Sequence, residues 1–336
     1  MSPPHSASAD LGPAPTVTRI LRDPTNRLII ATLAEERDLP LDVAGLQAHA
    51  LPDAPVRFLR DRLRQLAESG VVEREAEPTP RTPGATATWV LTPAGRDLHR
   101  IHAVIVRIVT RAGAARVTAS GHRQDLAVEI ALDALADPPT LKIVQQLAAA
   151  GDPMDPDALE AACHPVTRRT LYRRLRILQD EGLVDRLVTH EVPRRTHYAL
   201  HDRWRPVAGV LLLAAWWELR HGAGRAPSFD LPLLLHLVAP VAKSPRGRDG
   251  LVSCTVTAPE TPDAVDAHVR LRVGDGGLRL PAPEATDHDA AISGTPLAWA
   301  AALVTDARGE LTISGDADLA DALITSARAA LLAYVR

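Results

Sequence analysis

Two leucine stripes at helical spacing organise the first two thirds of the chain. Leu59, Leu63 and Leu66 recur three and four residues apart, as do Leu171, Leu175 and Leu178, so each set lines one face of a helix predicted over about 55–68 and 166–181. A glycine follows each stripe (Gly70, Gly182), where helices commonly end in a left-handed residue. An aliphatic pair then opens a strand (Val71-Val72, Leu183-Val184), a polar loop follows, and a returning strand ends at Leu91 or Leu200. Upstream, Asp23-Pro24 and Asp137-Pro138 each predict a helix start: a capping carboxylate, then a proline at the first position, where a missing amide hydrogen costs nothing. A short helix around 41–49 or 155–163 and a proline-bearing turn (Leu51–Pro55, His164-Pro165) lie between. The order is helix, helix, turn, helix, β-hairpin, that of a winged helix-turn-helix.

The two runs are copies of one unit. At an offset of 112, Leu59, Arg62, Leu63, Arg64, Leu66, Gly70, Val72 and Arg74 match Leu171, Arg174, Leu175, Arg176, Leu178, Gly182, Val184 and Arg186. DPTNRLIIATLA and DPPTLKIVQQLA align at an offset of 114, and Trp89-Val90-Leu91 lines up with Tyr198-Ala199-Leu200. A period of about 110 residues predicts duplicated domains rather than a solenoid.

Beyond residue 226 the pattern changes. A Leu-rich helix (Leu231–Val241) precedes strands at Leu251–Thr257, Ala267–Val273 and Leu278–Leu280, the last two joined by a Gly-rich turn at Gly274–Gly277. A short strand at Asp289–Ser293, a helix at Thr295–Val304, a strand with Leu311 and Ile313 on one face, and a closing helix capped by Asp316 or Asp318 complete the chain. The expected class is α+β, with a tail at 1–15, winged-helix domains at 16–112 and 113–224, and a small α/β domain at 225–336. Asp125–Leu135 reads as a connecting helix.

Charge sharpens this division. The chain of 336 residues carries 38 Lys+Arg and 41 Asp+Glu, net −3, which excludes a uniformly basic nucleic-acid coat. Residues 227–336 hold 9 basic and 14 acidic residues, so the duplicated part is slightly basic and the C-terminal part should repel DNA. Lys142 and Lys243 are the only lysines, leaving nearly all positive charge as guanidinium.

The face of the second long helix opposite its stripe holds Arg169, Arg173 and Arg176, flanked by Arg168 and Tyr172, with Thr167 at its start; from His164 to Gln179 there is no acid. A solvated face ordinarily mixes signs. An acid-free arginine face after a tight turn suits the major groove, where guanidinium forks pair with guanine or phosphate. The first helix shows Arg57, Arg60, Asp61 and Arg64, with Asp61 in the place of Arg173, so the two heads are not equivalent. Arg62 and Arg174 lie beside the stripes, where they hold the helix, through a local carboxylate, rather than read bases. Wing arginines (Arg81 in the first; Arg194 and Arg195 in the second) are candidates for backbone contact.

Through these residues, and through Leu91-Thr92-Pro93-Ala94-Gly95-Arg96 after the first wing, both units resemble winged-helix regulators of the HxlR and PadR type. The second unit departs after its wing, where His201-Asp202-Arg203-Trp204 replaces the Thr-Pro-x-Gly run. The resemblance implies operator binding to double-stranded DNA, no enzymatic activity, and dimerisation through a helix after the wing. Leu98, Ile101, Ile105, Ile108 and Val109 occupy that place in the first unit and Val207–Leu219 in the second, so either a homodimer or an internal pseudo-dimer is open. The C-terminal part, through Gly309–Asp316 before its last helix, resembles the sterol-carrier-protein type, which implies an apolar site for a lipid-like or polycyclic effector. Trp216, Trp217, Trp299 and Leu303 are the candidates to line it. Together these parts predict a cytoplasmic, nucleoid-associated, ligand-responsive repressor with no cofactor.

Two readings of other classes compete. Tandem winged helices also build DNA-repair glycosylases, but no two glutamines have the Gln-x-Gln spacing those enzymes carry. A lipid carrier using its winged helices for protein contacts is the other. Met1–Pro15 lacks the basic end and apolar stretch of a signal peptide. The longest apolar run, Val207–Trp217, falls short of the ~20 residues a membrane span needs. Cys163 and Cys254 read as small buried hydrophobes.

Overall fold

The structure is a computed structural model that describes residues 15–35, 40–75, 87–111, 132, 137–150, 152–188, 194–202, 205, 207–222, 230–245, 247–257, 267–281 and 287–333. The first unit comprises α1 (Pro15–Arg22), α2 (Pro24–Glu35), α3 (Val43–Ala50), α4 (Val56–Glu68), β1 (Val72–Arg74), β2 (Trp89–Leu91) and α5 (Pro93–Arg111). The second repeats the order as α6 (Pro138–Ala150), α7 (Pro156–Ala162), α8 (Arg168–Asp180), β3 (Val184–Val188), β4 (Thr196–Leu200) and α9 (Val207–His221). Arg81, most of both wing loops and, apart from Leu132, the connecting helix expected at Asp125–Leu135 lie outside the described residues.

The duplication extends to single hydrogen bonds. Asp23 caps α2 by accepting from Thr25 N (2.9 Å), and Asp137 caps α6 by accepting from Thr140 N (2.9 Å). Gly70 and Gly182 adopt φ of 69° and 68°, and the next amide in each copy closes the helix end, Val71 N on Leu66 O (2.9 Å) and Leu183 N on Leu178 O (2.7 Å). Both stripes are buried. Each hairpin is antiparallel, with Val72 opposite Leu91 and Val184 opposite Leu200. A third segment joins each: Leu41 and Trp89 exchange backbone hydrogen bonds, as do Met154 and Tyr198. Helix α1, ahead of Asp23, is an element the sequence pattern did not single out.

The run after the first wing has a physical account. Thr92 caps α5 through Gly95 N (3.1 Å) while its hydroxyl donates to Gly70 O (2.6 Å), and Arg96 donates to Leu91 O (2.8 Å). Gly95 packs so closely that a Cβ there would lie 2.1 Å from Val71 O. The second unit keeps the backbone tie, His201 N on Leu183 O (2.9 Å), without those side chains.

The C-terminal part begins with α10 (Leu231–Val238) and a 3₁₀ turn (Ala239–Val241), followed by β5 (Gly250–Val256), β6 (Ala267–Gly274), β7 (Gly277–Arg279), β8 (Ala290–Gly294), α11 (Pro296–Thr305), β9 (Thr312–Gly315) and α12 (Ala317–Leu332). Its five strands run in the order β7-β6-β5-β8-β9; β5 pairs parallel with β8 and the other neighbours are antiparallel. Val252, Cys254, Val269, Leu271, Val273, Ala290 and Ile292 alternate onto one face and are buried. Helices α10 and α12 pack against the sheet, and α11 against α12 and β8. Thr295 and Asp316 cap α11 and α12, the latter through Leu319 N (3.0 Å). The last strand is shorter than expected: Leu311 precedes it.

Helix α9 binds the parts together. It packs against α1, α5, α10, α11 and α12. Trp217 donates its indole N–H to Ala94 O (2.8 Å), and His221 Nε2 lies 3.2 Å from Asp97 Oδ2 on α5. Glu218, only 6% exposed, accepts from Thr16 N (2.6 Å) and Val17 N (2.9 Å), the unsatisfied amides at the start of α1. An apolar helix with one buried carboxylate thus joins the two copies of the unit within one chain.

Candidate nucleic-acid interface

Helices α4 and α8 are fixed by their stripes on one side and by a matching ion pair on the flank. Arg62 meets Asp23 at 2.8 Å, and Arg174 meets Asp137. In each pair the aspartate uses one carboxylate oxygen to cap the helix that follows it, α2 or α6, and the other to hold the arginine. The local carboxylates expected from sequence are therefore the same residues read there as helix caps. The signal was present: both partners recur in both copies at nearly the same offset.

On α8 the outer face is exposed. Arg168, Arg169, Arg173 and Arg176 all reach solvent. Thr167 caps the helix, its Oγ1 accepting from Thr170 N (3.4 Å). Arg168 lies 3.5 Å from Glu160 on α7 and sits over the Tyr172 ring at 5.7 Å, so one arginine of the set is steered by an acid that sequence reasoning had not considered. Arg194 and Arg195 are exposed just before β4. Asp155, which caps α7, is held below its ordinary range, first by the Ala158 N–H and, further down, by the charges of His197 and Arg195, so the wing base lies within electrostatic reach of α7.

The α4 face differs. Arg57, Arg60 and Arg64 are exposed, but Asp61 pairs with Arg64 at 3.3 Å. That pair is solvent-screened and worth little in stability. Its effect is on the field, since it cancels a positive charge where α8 presents one. Arg62 also lies over Phe58 at 5.1 Å.

The four residues expected near an apolar effector lie on two packed helices, α9 and α11. Trp217, Trp299 and Leu303 are fully buried, and Trp216 partly so beneath Arg220 (5.9 Å). The Trp299 indole donates to Thr255 O (2.9 Å), tying α11 to the end of β5. Both Cys163 and Cys254 are buried, and burial pushes the Cys163 thiol up to about 11. Among the described residues, no helix is long and apolar enough to cross a membrane, and no group of three or more His, Cys, Asp or Glu side chains could hold a metal ion.

Residues 141–223 match the family described as HxlR-like helix-turn-helix. That interval takes in α7, α8, the second hairpin and α9. An uncharacterised HTH-type transcriptional regulator, YtcD, of Bacillus subtilis (strain 168) is 30% identical over 56 residues, 17% of this chain and 44% of that protein. The match thus covers less than half the relative's length. No solved structure matches the chain significantly. An HxlR-like helix-turn-helix accordingly occupies the second unit, in a mixed α+β chain.

Proposed function

We propose that the chain is a DNA-binding transcriptional regulator, a repressor, whose two winged-helix units act as an internal pseudo-dimer with unequal reading heads. The observation that carries this is the exposed arginine face of α8 inside the HxlR-like interval, with its helix pinned from behind by Arg174–Asp137. Such a helix offers guanidinium forks to base edges and phosphates of double-stranded DNA, with no acid between Arg169 and Arg176 to repel them and Glu160 tying Arg168 from α7. The α4 face, with Asp61 against Arg64, supplies a weaker second contact in which Asp61 can accept from a cytosine amino group. The packing of α9 on α5 and α1 supports the pseudo-dimer over pairing between chains.

The C-terminal layer of helices on a five-stranded sheet supports the sterol-carrier-like reading of residues 225–336. In this reading a hydrophobic effector enters between α9 and α11, near Trp216, Trp217, Trp299 and Leu303. It acts only so far as it binds one arrangement of the heads better than another.

Titration of the full chain against duplexes selected from a random pool tests the DNA-binding reading. Arg173→Ala is expected to lose about 1–3 kcal/mol of affinity if the side chain contacts a base. Unchanged affinity in that variant sinks the assignment of α8 as the main head.

A further inference from the structure

Helix α6 touches two things at once. Its N-terminal cap, Asp137, holds Arg174 of α8. About two turns along, Gln145 donates to both carboxylate oxygens of Asp230 (3.4 and 3.3 Å), and Asp230 is the residue that caps α10 through Leu233 N (2.9 Å). The apolar faces agree with this bridge: Ile143, Val144 and Leu147 of α6 are buried, as are Leu231, Leu234 and Leu235 of α10, and the two helices pack together. Lys142, next to this contact on α6, acts electrostatically on Asp230.

The first copy has no counterpart of the Gln145–Asp230 contact, since Ala31 stands in place of Gln145. By the 114-residue offset, Leu28 of α2 stands where Lys142 stands on α6, and it is 45% exposed. Helix α2 instead packs mainly against α1, α3 and α5, with Ile29, Ile30 and Leu33 buried there.

We infer that Asp230 and Gln145 are positioning residues for the second reading head, and that α6 is a lever through which the C-terminal α/β part sets the hold on α8 while leaving α4 alone. A short, well-packed helix moves as a body, so a shift of α10 passes through Gln145 to Asp137 and hence to Arg174. The regulatory meaning rests on α8 being a DNA-reading helix. The lever itself does not need DNA to be observed.

Amide hydrogen exchange on the full chain without DNA tests it. Asp230→Ala removes the cap and the Gln145 contact together. A cap of ordinary strength corresponds to roughly a fivefold change in an opening equilibrium, so exchange in 168–180 should rise severalfold along with that in 138–150 and 231–238, with 56–68 unchanged. Asp230→Asn retains an acceptor for Leu233 and Gln145 and should not raise exchange. Gln145→Ala leaves the α10 cap intact and should still loosen 168–180, which covers the case in which Asp230→Ala does not fold. The inference is overturned if 168–180 is unaffected while 231–238 loosens, if 56–68 rises equally, or if Asp230→Asn matches the alanine variant. Exchange as expected with no DNA affinity in the wild-type chain would instead remove the DNA-binding reading and leave the lever standing.

Discussion

Asp137 shows how much one side chain can carry. It caps α6 and anchors Arg174, a guanidinium held largely out of solvent on the flank of α8. Removing the carboxylate loses a cap, typically 0.5–2 kcal/mol, and strands a partly buried charge. Asp137→Ala is therefore expected to cost roughly 2–4 kcal/mol in urea unfolding, and Asp137→Asn clearly less, since it still caps; equal losses would contradict the double role. Glycines divide in the same residue-level way. Gly95→Ala sets a Cβ against the Val71 carbonyl, a backbone clash expected to cost about 1–3 kcal/mol or more. Gly182→Ala meets nothing within 4 Å but pays for its φ of 68°, about 1–2 kcal/mol. Thermal unfolding of the two variants should rank Gly95→Ala as the more harmful.

At the scale of elements, helices α4 and α8 and their hairpins were legible in the sequence because leucine spacing, a terminal glycine and a capping aspartate all point the same way at the same places. The C-terminal sheet was legible for a similar reason: Val269, Leu271 and Val273 alternate, and a Gly-rich turn follows. What the pattern could not carry was long-range. Helix α1 depends on Glu218, about 200 residues away, for the amides at its start. The Leu41 and Met154 bridges depend on a returning strand in each copy. Neither leaves a local periodicity. The α6–α10 contact is of this kind too, and it makes a pH prediction. Burial raises the Asp230 carboxyl, against the Leu233 N–H and Lys142, which lower it. A raised carboxyl favours the fold in its protonated form, so the contribution is present in acid and lost as pH rises from the ordinary 3.8 through the raised value. Asp230→Asn cannot ionise and escapes that loss. Its unfolding midpoint relative to wild type should climb between acid and neutral pH; a flat difference would show that Asp230 ionises there without cost.

For the whole molecule, the net charge of −3 averages over a slightly basic duplicated part and an acidic C-terminal one. Position matters more than the total: Arg169, Arg173 and Arg176 share a face, while Asp61 and Arg64 cancel on its counterpart. Under the proposed reading, joining both copies through α9 lets one chain present both heads. Affinity for DNA should accordingly fall with salt by about 0.9 log unit per decade for each phosphate contact. Arg194→Ala in the wing should lower that slope by about one such unit if the side chain lies on a phosphate. Sedimentation of the free chain should give a monomer. The most direct check is hydroxyl-radical footprinting of a selected duplex at one chain per site, with wild type and Arg173→Ala. Two protected stretches of unequal strength, the stronger one lost in the variant, are the predicted result. Two equal stretches, a site that needs two chains, or no protection would contradict a single chain reading DNA with two unequal heads.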